Sequence, residues 1–198
     1  MESQVASIAR DSLLTLESYA RQRAEFRAQV LAHKRNRTVH IGDHVTLVFE
    51  DELTVRYQIQ EMLRIERTFD EDGIRAELDA YTPLIPDGTN LKATMLIEFE
   101  DPEQRRVALS SLKGIERAVY LQAGRLPKIF AIADEDMERE NESKTSAVHF
   151  LRFEFEPAAV AALREGASLA AGVEHPQYPG RIDALPPQVT ASLLHDFS

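Results

Sequence analysis

The most regular pattern of hydrophobic and polar positions runs through residues 43–70. Val45, Leu47 and Phe49 alternate with their neighbours at the period of two that a strand with one buried face shows. A run of acidic residues follows, and apolar side chains then recur at helical spacing: Val55, Ile59, Met62, Leu63 and Phe69. This pattern predicts a strand, a charged turn and one unbroken amphipathic helix that ends before Gly73, since glycine suits the left-handed conformation at a helix C-terminus.

Ionisable side chains lie on this predicted central helix. Glu66 falls on the apolar stripe, where an unpaired carboxylate would be costly, so we expect it to be paired, protonated or a ligand. Tyr57, Glu61 and Arg64 form a second stripe beside the first. This stripe is either a polar row that faces a cleft or a solvated face with a pair between Glu61 and Arg64, worth about 0.2–0.5 kcal/mol. The spacing favours the solvated face, because charges three or four residues apart on a helix usually form surface pairs.

The remaining patterns predict an α+β fold. Further helices are predicted at about residues 11–34, 74–80, 101–113, 157–165 and 187–197, and strands at about 92–99, 116–122, 128–133, 147–156 and 168–173. An acidic loop is predicted at 134–146 and an irregular C-terminal strap at 174–198, with the last short helix inside it. Because strands joined by short turns pair antiparallel, we expect one domain, 1–198, in which a largely antiparallel sheet packs against helices in two layers, with long N-terminal and central helices.

Composition and length place the chain among soluble globular proteins. It has 198 residues, of which 43% are hydrophobic and 28% charged. The absence of cysteine removes disulfides, thiolate nucleophiles and cysteine-bound metal centres, and it is consistent with a reducing cytoplasm. The N-terminus does not resemble a signal peptide, and no apolar run approaches the roughly 20 residues that span a bilayer. We therefore predict a cytoplasmic protein that does not enter the membrane.

Charge is unevenly distributed along the chain. The formal net charge of −10 argues against binding to nucleic acid, which needs a basic surface. Residues 21–37 are the exception, with six cations against Glu25: Arg21, Arg23, Arg27, Lys34, Arg35 and Arg37. This segment could meet a phosphate or an acidic partner, or the protein's own carboxylates could neutralise it, and the surplus of carboxylates favours neutralisation.

Six histidines and many carboxylates make a metal site one hypothesis, with Fe, Mn or Zn as candidates. The spacing gives it little support, because the central helix has no Glu-x-x-His and no helix has two histidines four residues apart. His149 shares the apolar face of its predicted strand, while Arg152 lies on the other face. A single histidine on such a face is more often a hydrogen-bonded core residue than a ligand. The metal hypothesis would use Glu61, Glu66 and His149.

Other chemistry has weaker signals. The chain lacks a G-x-S-x-G elbow and the glycine-rich loops that bind phosphates. Arginine side chains could still bind a phosphate or nucleotide, and the candidates are Arg23, Arg27, Arg64 and Arg152. The candidate polar cluster as a whole comprises Tyr57, Glu61, Arg64, Glu66, His149 and Arg152.

Several long motifs resemble the bacterial domain-of-unknown-function family 3501. They are YxxxRxxFRxxVxxxKxxR, IGDHVTLVFEDELTVRYQIQEMLRIER, ELDAYTPLIPDGTNLKATMLIEF, TSAVHFLRFEF and EHPQY, and together they span about residues 11–178. Members of this family are typically encoded beside a rubrerythrin-like protein and an iron–sulfur oxidoreductase. The resemblance thus implies a role in a redox or oxidative-stress module.

Taken together, these features predict an accessory or interaction protein of such a module, with the rubrerythrin-like protein or the iron–sulfur oxidoreductase as partner. The alternative is a metal-dependent enzyme or metal-binding protein that uses the carboxylate and histidine ligands named above.

Overall fold

The computed structural model describes residues 8–133 and 144–198 and confirms the predicted α+β class. In this part of the chain the helices are α1 (Leu16–Lys34), α2 (Glu52–Glu66), α3 (Glu71–Tyr81), α4 (Pro102–Ser111), α5 (Pro157–Arg164) and α6 (Pro187–Leu194). The strands are β1 (Thr38–Ile41), β2 (Val45–Glu50), β3 (Asn90–Ile97), β4 (Val119–Ala123), β5 (Ile129–Phe130), β6 (Ile132–Ala133), β7 (Val148–Glu154), β8 (Leu169–His175) and β9 (Tyr178–Ile182). Of the predicted acidic loop, all but 144–146 lies outside the described residues. None of the described helices is long and apolar enough to cross a membrane.

The strands divide between two antiparallel sheets, where the sequence predicted one. The larger sheet has the order β1-β2-β3-β7-β6 and the smaller one the order β5-β4-β8-β9. The predicted strand at 128–133 belongs to both sheets, because its first half, β5, pairs with β4 and its second half, β6, pairs with β7. Between the halves, Ala131 is buried and donates its N–H to the carbonyl of Val119 at 2.9 Å. This short stretch therefore joins the two sheets.

Apolar side chains form two clusters. The main core takes residues from both sheets and from α4, α5 and α6, and Leu47 and Phe153 are fully buried in it. A smaller cluster, the helical core, lies mainly between α2, α3 and the N-terminal segment and contains Ile8, Leu13, Val55, Ile59, Leu63, Ile74, Leu78 and Ile85. Because α1 packs on α2 and α2 packs on α3, these three helices form a helical layer.

The predicted central helix is in fact two helices. Helix α2 ends at Glu66 because Arg67 adopts a left-handed conformation with φ of 56° and donates its N–H to the carbonyl of Leu63. Helix α3 then starts afresh, with the Asp70 side chain accepting the N–H of Gly73 at 2.8 Å. The prediction of an unbroken helix was wrong, and so was the prediction that Gly73 stops it, since this glycine lies in the first turn of α3.

Residues 174–198, predicted as an irregular strap, are largely regular. Strand β9 pairs antiparallel with β8, with Glu174 opposite Pro179. Because β9 is the outermost strand of its sheet, a proline can occur in it without removing a ladder hydrogen bond. The abundance of proline in this segment argued against a strand. Proline is nevertheless tolerated in β9, because this strand lies at the edge of its sheet.

Candidate functional site

The carboxylate of Glu61 lies between α1 and α2. Helix α1 starts where Thr15 accepts the N–H of Ser18, and one turn of helix separates Tyr19 from Arg23, so that both side chains face α2. Arg23 donates from Nε and Nη2 to the two oxygens of Glu61 at 2.7 and 2.8 Å. The hydroxyl of Tyr19 donates to the same carboxylate at 2.7 Å. Glu61 thus faces the neighbouring helix.

The surroundings of Glu61 strongly favour its ionised form, as its pKa indicates. The hydrogen bonds from Arg23 above all, and also those from Tyr19 and Arg64, lower the pKa of Glu61 to about 2. Burial, reinforced by the bond to Glu61, raises the pKa of Tyr19 well above its usual value. The expected pair between Glu61 and Arg64 is present, with Nη2 at 3.1 Å from Oε2. The main partner is nevertheless Arg23, so this stripe of α2 is an inter-helix contact and its central carboxylate is only slightly exposed.

Three other members of the predicted polar cluster do not bond to Glu61. The ring of Tyr57 packs edge to face against Phe26, with centroids 5.9 Å apart. Glu66, the last residue of α2, is exposed, although the buried Leu63 lies one turn before it. The expectation that Glu66 lies on the buried stripe was therefore wrong. Arg152 pairs with Glu154, two residues along its own strand β7.

His149 belongs to a separate, buried group on the larger sheet. Its side chain is 0% exposed, and Nε2 lies 3.0 Å from both the hydroxyl of Thr145 and the carbonyl of Ser146. Because a carbonyl oxygen only accepts, Nε2 is the donor in the second contact. The carboxylate of Glu116, also buried, lies 4.0 Å from Nε2, and the hydroxyl of Thr145 donates to it at 3.5 Å. His149 is thus a hydrogen-bonded core residue, the more frequent state of such a histidine.

The metal hypothesis finds no ligand group within residues 8–133 and 144–198. No three histidine or acidic side chains in these segments are arranged to hold an ion. Glu61 is occupied by Arg23, Tyr19 and Arg64, whereas His149 bonds to the 145–146 segment. The three proposed ligands therefore lie in different surroundings.

The phosphate hypothesis needed four available arginine side chains. Arg23 and Arg64 are held by Glu61, and Arg152 is held by Glu154. Of the four, Arg27 is the member that makes no ion pair with another described residue. The proposed set thus provides no shared anion site.

A buried charge network at the junction of the helical layer and the larger sheet was not predicted. Arg37, only 1% exposed, donates from Nε to the carbonyl of Phe49 and from Nη2 to that of Glu50, both at 3.0 Å. Its Nη2 also bonds to the carboxylate of Asp196, just after α6. Asp51, whose Oδ2 is 3.4 Å from Arg37 Nε, caps α2. The network thus connects the end of α1, the start of α2 and the C-terminal segment.

Titratable groups surround Arg37. His33, in the last turn of α1, donates from Nε2 to Oδ2 of Asp51 at 2.5 Å. Burial raises the pKa of Asp196 to about 6, although the charge and hydrogen bond of Arg37 act in the opposite direction. Desolvation therefore outweighs attraction for this carboxylate. The sequence shows the cap at Asp51, but it has no local signal for a contact between residues 159 positions apart.

The helical layer also carries an exposed apolar groove, which we call the Phe69 groove. It has a volume of about 320 Å³ and is lined by Arg10, Leu13, Leu14, Thr15, Leu16, Glu17, Leu63, Thr68, Phe69 and Ile74. Phe69 is 80% exposed, and Ile65, one turn earlier on α2, is 61% exposed. The early end of α2 leaves Phe69 in the connection to α3, so its ring projects from the helical core.

These features define an α+β protein whose central charged side chains are paired with one another. The family model described as "Protein of unknown function (DUF3501)" matches residues 7–197, and the chain belongs to that family. A crystal structure of a novel protein of unknown function from Burkholderia pseudomallei K96243 is similar to it, with 56% sequence identity and a TM-score of 0.93 over 98% of this chain and 100% of that one. No curated protein matches this chain.

Proposed function

We propose that this protein is a cytoplasmic accessory protein that binds another protein through the Phe69 groove. The observation that carries the proposal is the exposure of Phe69, 80%, beside a groove of about 320 Å³. Single exposed apolar side chains are common on protein surfaces, but an exposed aromatic ring beside an apolar groove is typical of a docking site. Ile65 enlarges the apolar area on the same end of α2.

The polar clusters favour binding over catalysis. A catalytic carboxylate needs access to substrate, whereas Glu61 uses both oxygens in contacts with α1 and with Arg64. Arg37 lies in the interior with its donors directed to main-chain carbonyls and to Asp196. These groups stabilise the layer that presents the groove.

The rim of the groove suggests the chemistry of the partner. Arg10 lies on the rim but is bound to Glu71, with Nη2 at 2.7 Å from Oε1. Glu17, also on the rim, is exposed and makes no ion pair with another described residue. The complementary segment therefore carries an apolar anchor for the groove and a basic side chain for Glu17. The family resemblance points to the rubrerythrin-like protein or the iron–sulfur oxidoreductase of a redox module as the protein that carries this segment.

Co-purification tests the proposal. Each of the two neighbouring proteins is expressed with tagged wild type, with Phe69→Asp and with Val107→Asp, and the retained partner is quantified. Val107 is the matched control because it is 55% exposed but lies on α4, outside the groove. We expect the wild type and Val107→Asp to retain one of the two partners and Phe69→Asp to retain about tenfold less or lower still, as for an anchor residue. Equal retention by all three proteins, or no retention by the wild type, would contradict the proposal.

A further inference from the structure

A second groove adjoins the Phe69 groove on the helical layer. It has a volume of about 340 Å³ and lies between α1, α2 and the N-terminal segment. This depression, which we call the Phe26 groove, has a lining that includes Leu14, Gln22, Glu25, Phe26, Gln29 and Gln60. Leu14 also lines the Phe69 groove, so the two grooves lie next to each other and share a wall.

The shared wall is held in place by hydrogen bonds to α2. The Gln60 side chain, 1% exposed, accepts the N–H of Leu14 at 2.7 Å and donates to the carbonyl of the same residue at 3.3 Å. Arg56 donates from Nη1 to the carbonyl of Ser12 at 2.8 Å. Because α2 fixes the main chain at both of these residues, the two grooves keep a constant distance from each other.

The polar side chains of the Phe26 groove are available to a ligand. The carboxamides of Gln22 and Gln29 are exposed and make no hydrogen bond with a described residue. The carboxylate of Glu25 is also exposed and makes no ion pair with a described residue. Arg56 lines the groove as well, but it is bound to Glu52. The groove therefore offers hydrogen-bonding groups and an unpaired negative charge, which fit a basic segment.

The unpaired carboxylates of the two grooves have a defined spacing. Glu17, on the rim of the Phe69 groove, and Glu25 are eight residues apart on α1, which corresponds to a rise of about 12 Å. Four residues of an extended chain span about 13 Å, and residues four apart in such a chain point to the same side. An extended segment with cations at two such positions thus reaches both carboxylates.

The cations near these carboxylates leave them accessible. Arg21 lies four residues from Glu17 and from Glu25 on α1, yet it makes no ion pair with either and does not line either groove. Arg10, on the rim of the Phe69 groove, is bound to Glu71. Both carboxylates therefore remain available to a cation from another molecule.

We propose that the partner segment bound in the Phe69 groove continues past Leu14 into the Phe26 groove as an extended, basic chain. The proposal rests on the function proposed above and specifies the segment that the Phe69 groove recognises. This segment places an apolar side chain in the Phe69 groove, one cation at Glu17 and a second cation, four residues later, at Glu25. The net charge of −10 attracts such a basic chain over longer distances.

A peptide fits the Phe26 groove better than other anionic or apolar molecules do. Carboxamides such as those of Gln22 and Gln29 both donate and accept hydrogen bonds, as recognition of a peptide main chain requires. The phosphates of a nucleic acid or of a membrane lipid would instead be repelled by Glu17 and Glu25. The side chains of the groove therefore select a peptide chain.

Fluorescence anisotropy with a labelled peptide tests the continuation into the Phe26 groove. The dilysine peptide, Phe-Thr-Lys-Thr-Val-Thr-Lys, has lysines four residues apart and β-branched residues that favour an extended chain. At about 0.05 M salt, where exposed charges are weakly screened, it should bind the wild type and bind Glu25→Lys about fivefold more weakly or worse. The matched control is Glu100→Lys, exposed and outside both grooves, which should bind the peptide as the wild type does.

A change of charge on the peptide distinguishes a lost contact from a misfolded variant. A second peptide has glutamate in place of the last lysine of the dilysine peptide. It should bind Glu25→Lys more tightly than it binds the wild type, because the two charges at this position are then opposite again. This reversal of preference requires that Glu25→Lys is folded and that residue 25 contacts the end of the peptide.

Three results would overturn the proposal. They are no binding of the dilysine peptide to the wild type at up to about 1 mM, equal binding of that peptide by Glu25→Lys and the wild type, and no preference of the second peptide for Glu25→Lys.

The variant Phe69→Asp separates this outcome from that of the proposed function. A loss of affinity for the dilysine peptide in Phe69→Asp but not in Glu25→Lys would keep the Phe69 groove as the docking site and reject its continuation into the Phe26 groove. Equal affinity of the wild type and Phe69→Asp for the dilysine peptide would reject the Phe69 groove itself, and the continuation with it.

Discussion

The sheets and the helical layer are stabilised in different ways. The main core draws on both sheets and three helices, with side chains such as Leu47 and Phe153 fully buried. The helical core is much smaller, and the contact of α1 with α2 depends on the charged group around Glu61. The helical layer also exposes apolar side chains that a partner could contact. Of the six large apolar side chains exposed in the described residues, three belong to this layer: Leu31, Ile65 and Phe69.

The two regions meet at Arg37, where we expect the largest effect on stability. Arg37→Ala leaves Asp51 and Asp196 without their buried cation, which destabilises proteins by about 3–5 kcal/mol. Urea unfolding followed by circular dichroism measures the change. The matched control is Arg35→Ala, exposed and two residues away, which should stay within about 0.5 kcal/mol of the wild type. Similar stabilities for the two variants would mean that the regions are held together by apolar packing alone.

At the same junction, Asp196 is expected to make the free energy of unfolding depend on pH. Folding raises the pKa of Asp196 from an ordinary value of 3.8 to about 6, so the folded state binds a proton more tightly than the unfolded state does. The stabilisation is therefore complete below about pH 4 and is lost as the pH rises to about 6, by up to about 3 kcal/mol. The loss should be absent in Asp196→Asn, measured by urea unfolding at several pH values, and present in the exposed control Asp183→Asn. If the stability of Asp196→Asn changed with pH as that of the wild type does, the assignment of this pH dependence to Asp196 would be disproved.

Local patterns predicted the sheet region better than the junctions. Alternation predicted a strand at about 92–99, and the structure has β3 at Asn90–Ile97, displaced by two residues. The cap at Asp101 with Pro102 predicted the start of α4 correctly. The break between α2 and α3 escaped prediction because Arg67, unlike glycine, gives no sequence signal for a left-handed conformation. The partners of Glu61 and Arg37 come from distant segments, and sequence spacing carries no information about such contacts.

Within the helical layer, Glu61→Gln is expected to have a moderate effect. It keeps the shape but removes the charge that binds Arg23, and a loss of about 1–2 kcal/mol at pH 7 is expected, since Arg23 is partly exposed and its pair is screened. The lowered pKa of Glu61 gives the opposite pH dependence to Asp196: its stabilisation is present above about pH 4.5 and is lost as the pH falls towards 2. Acid unfolding of Glu61→Gln should therefore show a smaller loss than that of the wild type. Glu25→Gln, at an exposed position of α1, is the control. A steeper loss of stability with falling pH in Glu61→Gln than in the wild type would contradict the stabilising role of the ionised Glu61.

The smallest effect is expected at Glu66, where the sequence pattern predicted a buried carboxylate and the structure has an exposed one. Glu66→Ala should change the free energy of unfolding by less than about 0.5 kcal/mol, as most surface substitutions do. Leu63→Ala, one turn earlier and buried in the helical core, should cost about 2–5 kcal/mol. Urea unfolding of Glu66→Ala and Leu63→Ala under the same conditions shows where the buried stripe of α2 ends. A cost at Glu66 close to that at Leu63 would mean that the helix continues past Arg67 in solution, and Phe69 would then turn into the helical core and close the groove.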